Sequence, residues 1–152
     1  MMSVPKSVIR TTKDGFTIVD NCDKVNYTVT ELTRAALRDV GKFLTRQMNQ
    51  KAQAELKGMK NNPRVRGKNS AFQYWNRKNE TDLQVGVKGA QWYSYKQELG
   101  QDKMPKKSII QGTVEAHIAD IVTIESQYLS ALEDEAVALS KIDEEEHMGS
   151  EE

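Results

Sequence analysis

Few side chains in this chain have the type and spacing that covalent chemistry needs. Its histidines are His117 and His147, and its sole cysteine is Cys22. One thiolate and no clustered histidines cannot give zinc spacing, and a lone cysteine forms no intrachain disulfide. His117 lies close to the apolar stripe of a predicted helix and reads as a half-buried helix residue; His147 falls in an acidic run. No glycine pattern matches a phosphate-binding loop, and no Ser, His and Asp set forms a nucleophile motif. Glu144 to Glu146 could hold a divalent ion weakly, but a run of this kind on a chain end usually serves solubility. No enzyme activity and no cofactor or metal site are expected. One other chemistry has residues of the right type. Lys57, Lys60, Arg64, Arg66, Lys68, Arg77 and Lys78 surround Tyr74 and Trp75, with no acid between Lys57 and Lys78. Basic groups beside aromatics can grip a single-stranded nucleic acid. No helix-turn-helix, zinc-finger or RNA-binding signature accompanies them. The two aromatics also fall in a predicted strand, where core packing accounts for them.

Size and charge set the frame for these residues. A chain of 152 residues fits one domain with modest tails. Apolar residues make up 38% and charged residues 29%, and mean hydropathy is strongly negative; solvated helix faces are expected. Lys plus Arg equal Asp plus Glu at 22 each, so no global charge draws the chain to nucleic acid or membrane. No apolar run is long enough to span a bilayer. The first residues lack an apolar signal core, which fits a cytosolic assembly compartment. The charges are unevenly placed, however. From Glu133 onward the acids Glu133, Asp134, Glu135, Asp143, Glu144, Glu145, Glu146, Glu151 and Glu152 face Lys141 alone. Such blocks repel themselves and seek an opposite partner or stay mobile. From Asp143 the composition predicts disorder.

The elements follow from periodicity and breakers. Ser7–Thr12 and Phe16–Val19 flank Lys13-Asp14-Gly15, a hairpin signal, and strands this short need a sheet or a neighbouring chain to pack on. Thr28 to Glu31 matches a capping box that starts a long helix ending near Lys57, with Val40, Leu44, Met48 and Ala52 on its apolar stripe. Gly41 either weakens that helix or permits close packing. Ala71–Asn76 and Leu83–Val87 form a second hairpin with an apolar face on the helix. Trp92, Tyr95 and Leu99 share one face of a short helix ending at Gly100. Ser108 to Gln111 resembles a second capping box, opening a helix that runs to Ser140. The fold class is α+β: two long amphipathic helices on a small antiparallel sheet, with a short aromatic helix and an N-terminal β-hairpin. The expected organisation is a hairpin arm at 1–27, a core at 28–140 and an acidic flexible tail at 141–152.

Contact residues are expected where composition is unlike a core. Arg64, Arg66 and Lys68 sit in the Asn61–Asn69 loop, expected at a subunit interface or channel rim. Tyr93 must look outward, because Trp92, Tyr93 and Tyr95 cannot all face one core. The Gly100–Lys107 loop carries Lys103, Met104, Lys106 and Lys107 and is expected to touch an adjacent subunit, with Met104 as an adaptable apolar contact.

The order of long helix, basic loop, strand pair, aromatic helix, Gly-x-x-x-Met-Pro loop and final helix resembles the head–tail joining proteins of lambdoid and related long-tailed bacteriophages, a family that includes minor tail proteins. The residues carrying the resemblance are Val85-Gly86-Val87, Trp92-Tyr93, Glu98-Leu99-Gly100, Lys103-Met104-Pro105 and the helix from Ser108. In the family an aromatic helix runs into a Glu-Phe-Gly-Thr-like turn and a Pro-x-x-Pro-Phe-like step. Here Leu99 stands at the aromatic position and Lys106-Lys107-Ser108-Ile109 replaces the proline–phenylalanine step. Neck, tail completion and tail terminator proteins are not separated by this pattern. The resemblance implies a virion protein, assembled in the bacterial host cytoplasm, whose copies form a ring, sixfold favoured. Its implied neighbours are a portal-side adaptor or stopper and a tail terminator or tail tube protein. DNA would pass through the channel without sequence-specific binding, and no membrane or cofactor is involved. The alternative is a small nucleic-acid-binding or regulatory protein using residues 57–78.

Overall fold

The structure is a computed structural model that describes residues 4–56, 71–77, 80–88, 92–100 and 106–149. In chain order the elements are β1 (Val8–Thr11), β2 (Thr17–Asp20), α1 (Cys22–Leu56), β3 (Phe72–Asn76), β4 (Leu83–Val87), α2 (Trp92–Leu99), α3 (Ile109–Ala116), α4 (Ile118–Ser130), a 3-10 turn (Ala131–Glu133) and α5 (Glu135–Gly149). The protein is α+β, with two separate antiparallel two-stranded sheets, β1–β2 and β3–β4. Two compact units divide it: one holds the residues up to Ala36 and from Ser126 onward, the other Leu37–Glu125.

The Leu37–Glu125 unit holds a core laid down by α1. Val40, Leu44, Met48 and Ala52 recur every four residues along one helix face and are all buried, together with Ala71, Phe72 and Ile109. Phe43, Leu83, Val85, Val87, Ile110, Val114, Ile121 and Ile124 pack around them. In the sheet Phe72 pairs with Val87, Tyr74 with Val85 and Asn76 with Leu83. Side chains alternate across a strand, so Phe72 and Tyr74 share the core face while Trp75 points to the other side. Trp75 is accordingly 42% exposed, contrary to the core packing expected of it. Its ring comes within 3.7 Å of where a Cβ on Gly86 would lie. Gly41 resolves in favour of close packing. A Cβ there would lie 2.4 Å from the Tyr74 ring, so the missing side chain lets α1 approach β3.

The other unit contains the first hairpin. Thr11 pairs with Thr17 and Ile9 with Val19. The Lys13-Asp14-Gly15 loop closes it, with the Thr12 N–H donating to the Phe16 carbonyl at 2.8 Å and Gly15 at φ 83°. Glycine bears that left-handed backbone without a Cβ clash. The long helix begins at Cys22, not at Thr28. Asp20 Oδ1 accepts the Cys22 N–H at 3.0 Å, and the Asn21 carbonyl accepts the Val25 N–H at 2.9 Å. These earlier caps pre-empt the Thr28 box. The Thr28 hydroxyl instead donates to the Lys24 carbonyl one turn back, and Glu31 pairs with Arg34. Within this unit Thr28, Leu32, Ala35, Ala36, Tyr128, Ala131, Ala138 and Ile142 are buried. Lys24 pairs with Glu135, and the Lys141 ammonium lies 4.9 Å from the centre of the Tyr128 ring.

The second long helix, expected unbroken from Ser108 to Ser140, is interrupted twice. His117 ends α3 and starts α4: its N–H donates to the Val114 carbonyl, while its own carbonyl accepts the Ile121 N–H. Its ring meets Phe43 edge-on at 5.3 Å, and Nδ1 lies 2.8 Å from Asp120. The neighbouring β-branched residues give the helix little intrinsic propensity, so these contacts can fix the break. Further on, Asp134 restarts the helix as α5. Its carboxylate accepts the Ala136 N–H at 2.9 Å. The disorder expected from Asp143 is also corrected, since α5 continues to Gly149. Ala138 and Ile142, one turn apart, supply its buried side while Asp143 and Glu144 stay exposed.

Candidate subunit interface

The base of the Gly100–Lys107 loop is clamped by a carboxylate. Glu98, in the last turn of α2, accepts the backbone N–H groups that open α3. Ile109 donates at 2.7 Å, Ile110 at 3.1 Å to each oxygen and Gln111 at 3.3 Å. Three amide groups at a helix start, all without an intrahelical partner, meet a negative charge there, so hydrogen bonding and helix dipole act together. The capping box expected at Ser108 is therefore absent. Ser108 is at φ 46° with no side-chain cap bond, and Gln111 bonds Glu115 at 2.9 Å instead of reaching back. One serine hydroxyl satisfies a single N–H; the Glu98 carboxylate satisfies all three. Gly100 follows at φ 80°, and a Cβ on it would lie 3.2 Å from the Lys106 backbone nitrogen. The two ends of the loop are thus held together by Glu98 and by the fit of Gly100 against Lys106.

The expected contact residues divide by position. Lys106 is exposed, whereas Lys107 is half-buried and 3.8 Å from Glu55. Part of the Lys107 charge is spent within its own chain. Arg64, Arg66, Lys68, Lys103 and Met104 lie outside the described residues, and the same holds for the side chain of Tyr93. The packing expected of α2 is corrected in part: Tyr95 is 61% and Leu99 56% exposed, while Glu98 takes the inward role. That role has no local signal, because Glu98 and the N–H groups it accepts are separated by a whole loop.

Besides Tyr95 and Leu99 on α2, open apolar surfaces among the described residues lie on the β1–β2 arm and on α4. Every residue of β1 and β2 is exposed, including the large apolar Val8, Ile9, Ile18 and Val19, and so is Phe16 just before β2. The faces alternate Ile9 and Val19 on one side with Val8 and Ile18 on the other. On α4, Ile121, Ile124 and Tyr128 turn inward, while Ile118, Val122 and Leu129 form a second stripe that is more than half exposed. The two sets interleave in the sequence; the fold separates them. Where the arm joins α1, the hydrogen bond from the Cys22 N–H holds the Asp20 carboxyl below the usual carboxylate range, and Asp20 in turn pushes the Cys22 thiol up. A raised pKa leaves little thiolate at neutral pH, so Cys22 is a poor nucleophile.

Among the described residues no group of three or more His, Cys, Asp or Glu could hold a metal ion, and no described helix is long and apolar enough to cross a membrane. No protein-family model, curated protein or solved structure matches the chain.

Proposed function

We propose that this protein is a structural subunit of the neck of a long-tailed phage, whose copies form a ring between the head connector and the tail tube and leave a channel for DNA. The observation that carries the reading is the β1–β2 arm. A two-stranded hairpin of this length is marginal alone, yet its apolar residues on both faces stay open to solvent. Such a segment suits a role completed by another chain. The Glu98 contacts with the start of α3 and the fit of Gly100 against Lys106 support the same role, since they fix the residues on either side of the 101–105 segment. The order of elements adds the resemblance to head–tail joining proteins.

The test is the solution mass of the purified chain together with its DNA affinity. The reading expects a closed oligomer, sixfold favoured, and weak DNA binding. A monomer of 17.2 kDa that binds DNA with steep salt dependence contradicts it. That outcome would support nucleic-acid binding through residues 57–78, a reading favoured by the exposed Trp75. Against it, the nearby Arg77 is engaged by Glu80 at 3.1 Å.

A further inference from the structure

The two open apolar surfaces differ in charge, and the difference selects how they pair. From Ser108 to Ser140 the chain carries Glu115, Asp120, Glu125, Glu133, Asp134 and Glu135 and not one Lys or Arg. The outward stripe of α4 lies within this stretch, and Glu115 and Asp120 near its Ile118 end are exposed. The arm carries Lys6, Arg10 and Lys13, all exposed. Of its two acids, Asp14 sits in the turn beside Lys13, and Asp20 is engaged by the start of α1. The α4 surface is therefore apolar with an acid, Glu125, along its stripe, and the arm is apolar and mildly basic.

We propose that the β1–β2 arm of one copy docks on the Ile118–Val122 stripe of α4 in a second copy. This rests on the ring reading above and names its contact. Arm against arm would bring Arg10 and Lys6 toward their own equivalents. Helix against helix would bring Glu125, one turn on from Val122 along the same stripe, toward its own equivalent. Both of these two-fold pairings set like charges across a desolvated patch, which is costly. Arm against helix sets opposite charges across it and buries the face of the arm that carries Val8 and Ile18, with Arg10 between them, against Ile118 and Val122. That pairing is head-to-tail. A head-to-tail contact leaves a free arm at one end and a free helix at the other, and it closes as a ring when the rotation allows.

Disulfide trapping in the full-length chain tests the contact. In a Cys22→Ser background, three variants are oxidised and run without reductant: Ile18→Cys, Val122→Cys, and the two combined. The substituted positions are exposed, and circular dichroism checks that each variant retains its helix content. The proposal expects no dimer from either single variant and a ladder of dimer, trimer and higher species from the combined one. A dimer from Ile18→Cys alone shows arm-to-arm pairing, and one from Val122→Cys alone shows helix-to-helix pairing; each overturns the proposal. A faster-migrating monomer from the combined variant, reporting a bond within one chain, also overturns it. No cross-link in any variant while the chain sediments as an oligomer overturns this contact and leaves the ring reading standing. No cross-link with a monomeric mass removes both. A second measurement uses charge alone. Arg10→Glu should raise the concentration at which half the chain is assembled at least tenfold, and an unchanged midpoint counts against the proposal.

Discussion

Among the described residues are two antiparallel hairpins of nearly equal strand length, and they have opposite fates. In β3–β4, Phe72 and Tyr74 face α1, Val85 and Val87 pair across from them, and Gly41 is bare so that Tyr74 can fit. In β1–β2, apolar side chains point to both sides and every residue of both strands is exposed. A hairpin that serves the fold concentrates its apolar residues on one face and meets a helix shaped to receive it. The other hairpin spreads its apolar residues over both faces and leaves its sides open, which is the pattern the proposed contact between copies needs. Substitutions in the first should therefore cost stability, and substitutions in the second should cost assembly.

The largest expected loss is at Phe72, which is 4% exposed. Phe72→Ala should destabilise the chain by about 3–5 kcal/mol in denaturant titration, because the transfer term and the cavity add. A loss under about 1 kcal/mol would place Phe72 outside a packed core. Gly41→Ala comes next. The new methyl collides with the Tyr74 ring, and overpacking of this kind costs about 1–3 kcal/mol. The comparison sharpens if Tyr74→Ala is combined with it, since removing the ring should abolish the penalty of the methyl. Purely additive losses would mean that the two residues do not meet.

Glu98→Ala should cost about 1–3 kcal/mol by stranding the N–H groups of Ile109, Ile110 and Gln111. Amide exchange at those positions should quicken while exchange at Met48 stays slow. Equal protection in both variants would show that another group caps α3. The smallest effect on stability is expected in the arm. Ile9→Ser and Ile18→Ser, both at exposed positions, should change it by no more than about 0.5 kcal/mol. A large drop in melting temperature at unchanged oligomeric mass would make β1–β2 a fold element like β3–β4.

Much of the fold was legible because its signals are local. Asp14-Gly15 marked the first turn, alternation from Leu83 to Val87 marked β4, and Gly100 marked the end of α2. The misread points depend on what competes for a group. Thr28 and Glu31 have the spacing of a cap, but Asp20 already caps the Cys22 N–H and the Asn21 carbonyl opens the helical hydrogen-bond ladder at Val25, well before Thr28. Ser108 has the type of a cap, but a carboxylate on another helix satisfies more donors. The break at His117 depends on Phe43, which is far away in sequence. The open surfaces were half legible. Strands as short as β1 and β2 are expected to need a sheet or a neighbouring chain, whereas the outward stripe of α4 adjoins its core stripe, Val122 beside Ile121, so periodicity alone does not separate the two.

The division between a hairpin for folding and a hairpin for contact is tested most directly by sedimentation equilibrium of the chain with Ile9, Phe16, Ile18 and Val19 all changed to Ser, run beside the parent. The parent should sediment as a multiple of 17.2 kDa and the variant as a single chain with its helix content intact. Equal masses for the two would contradict the assignment of the arm to contacts between copies.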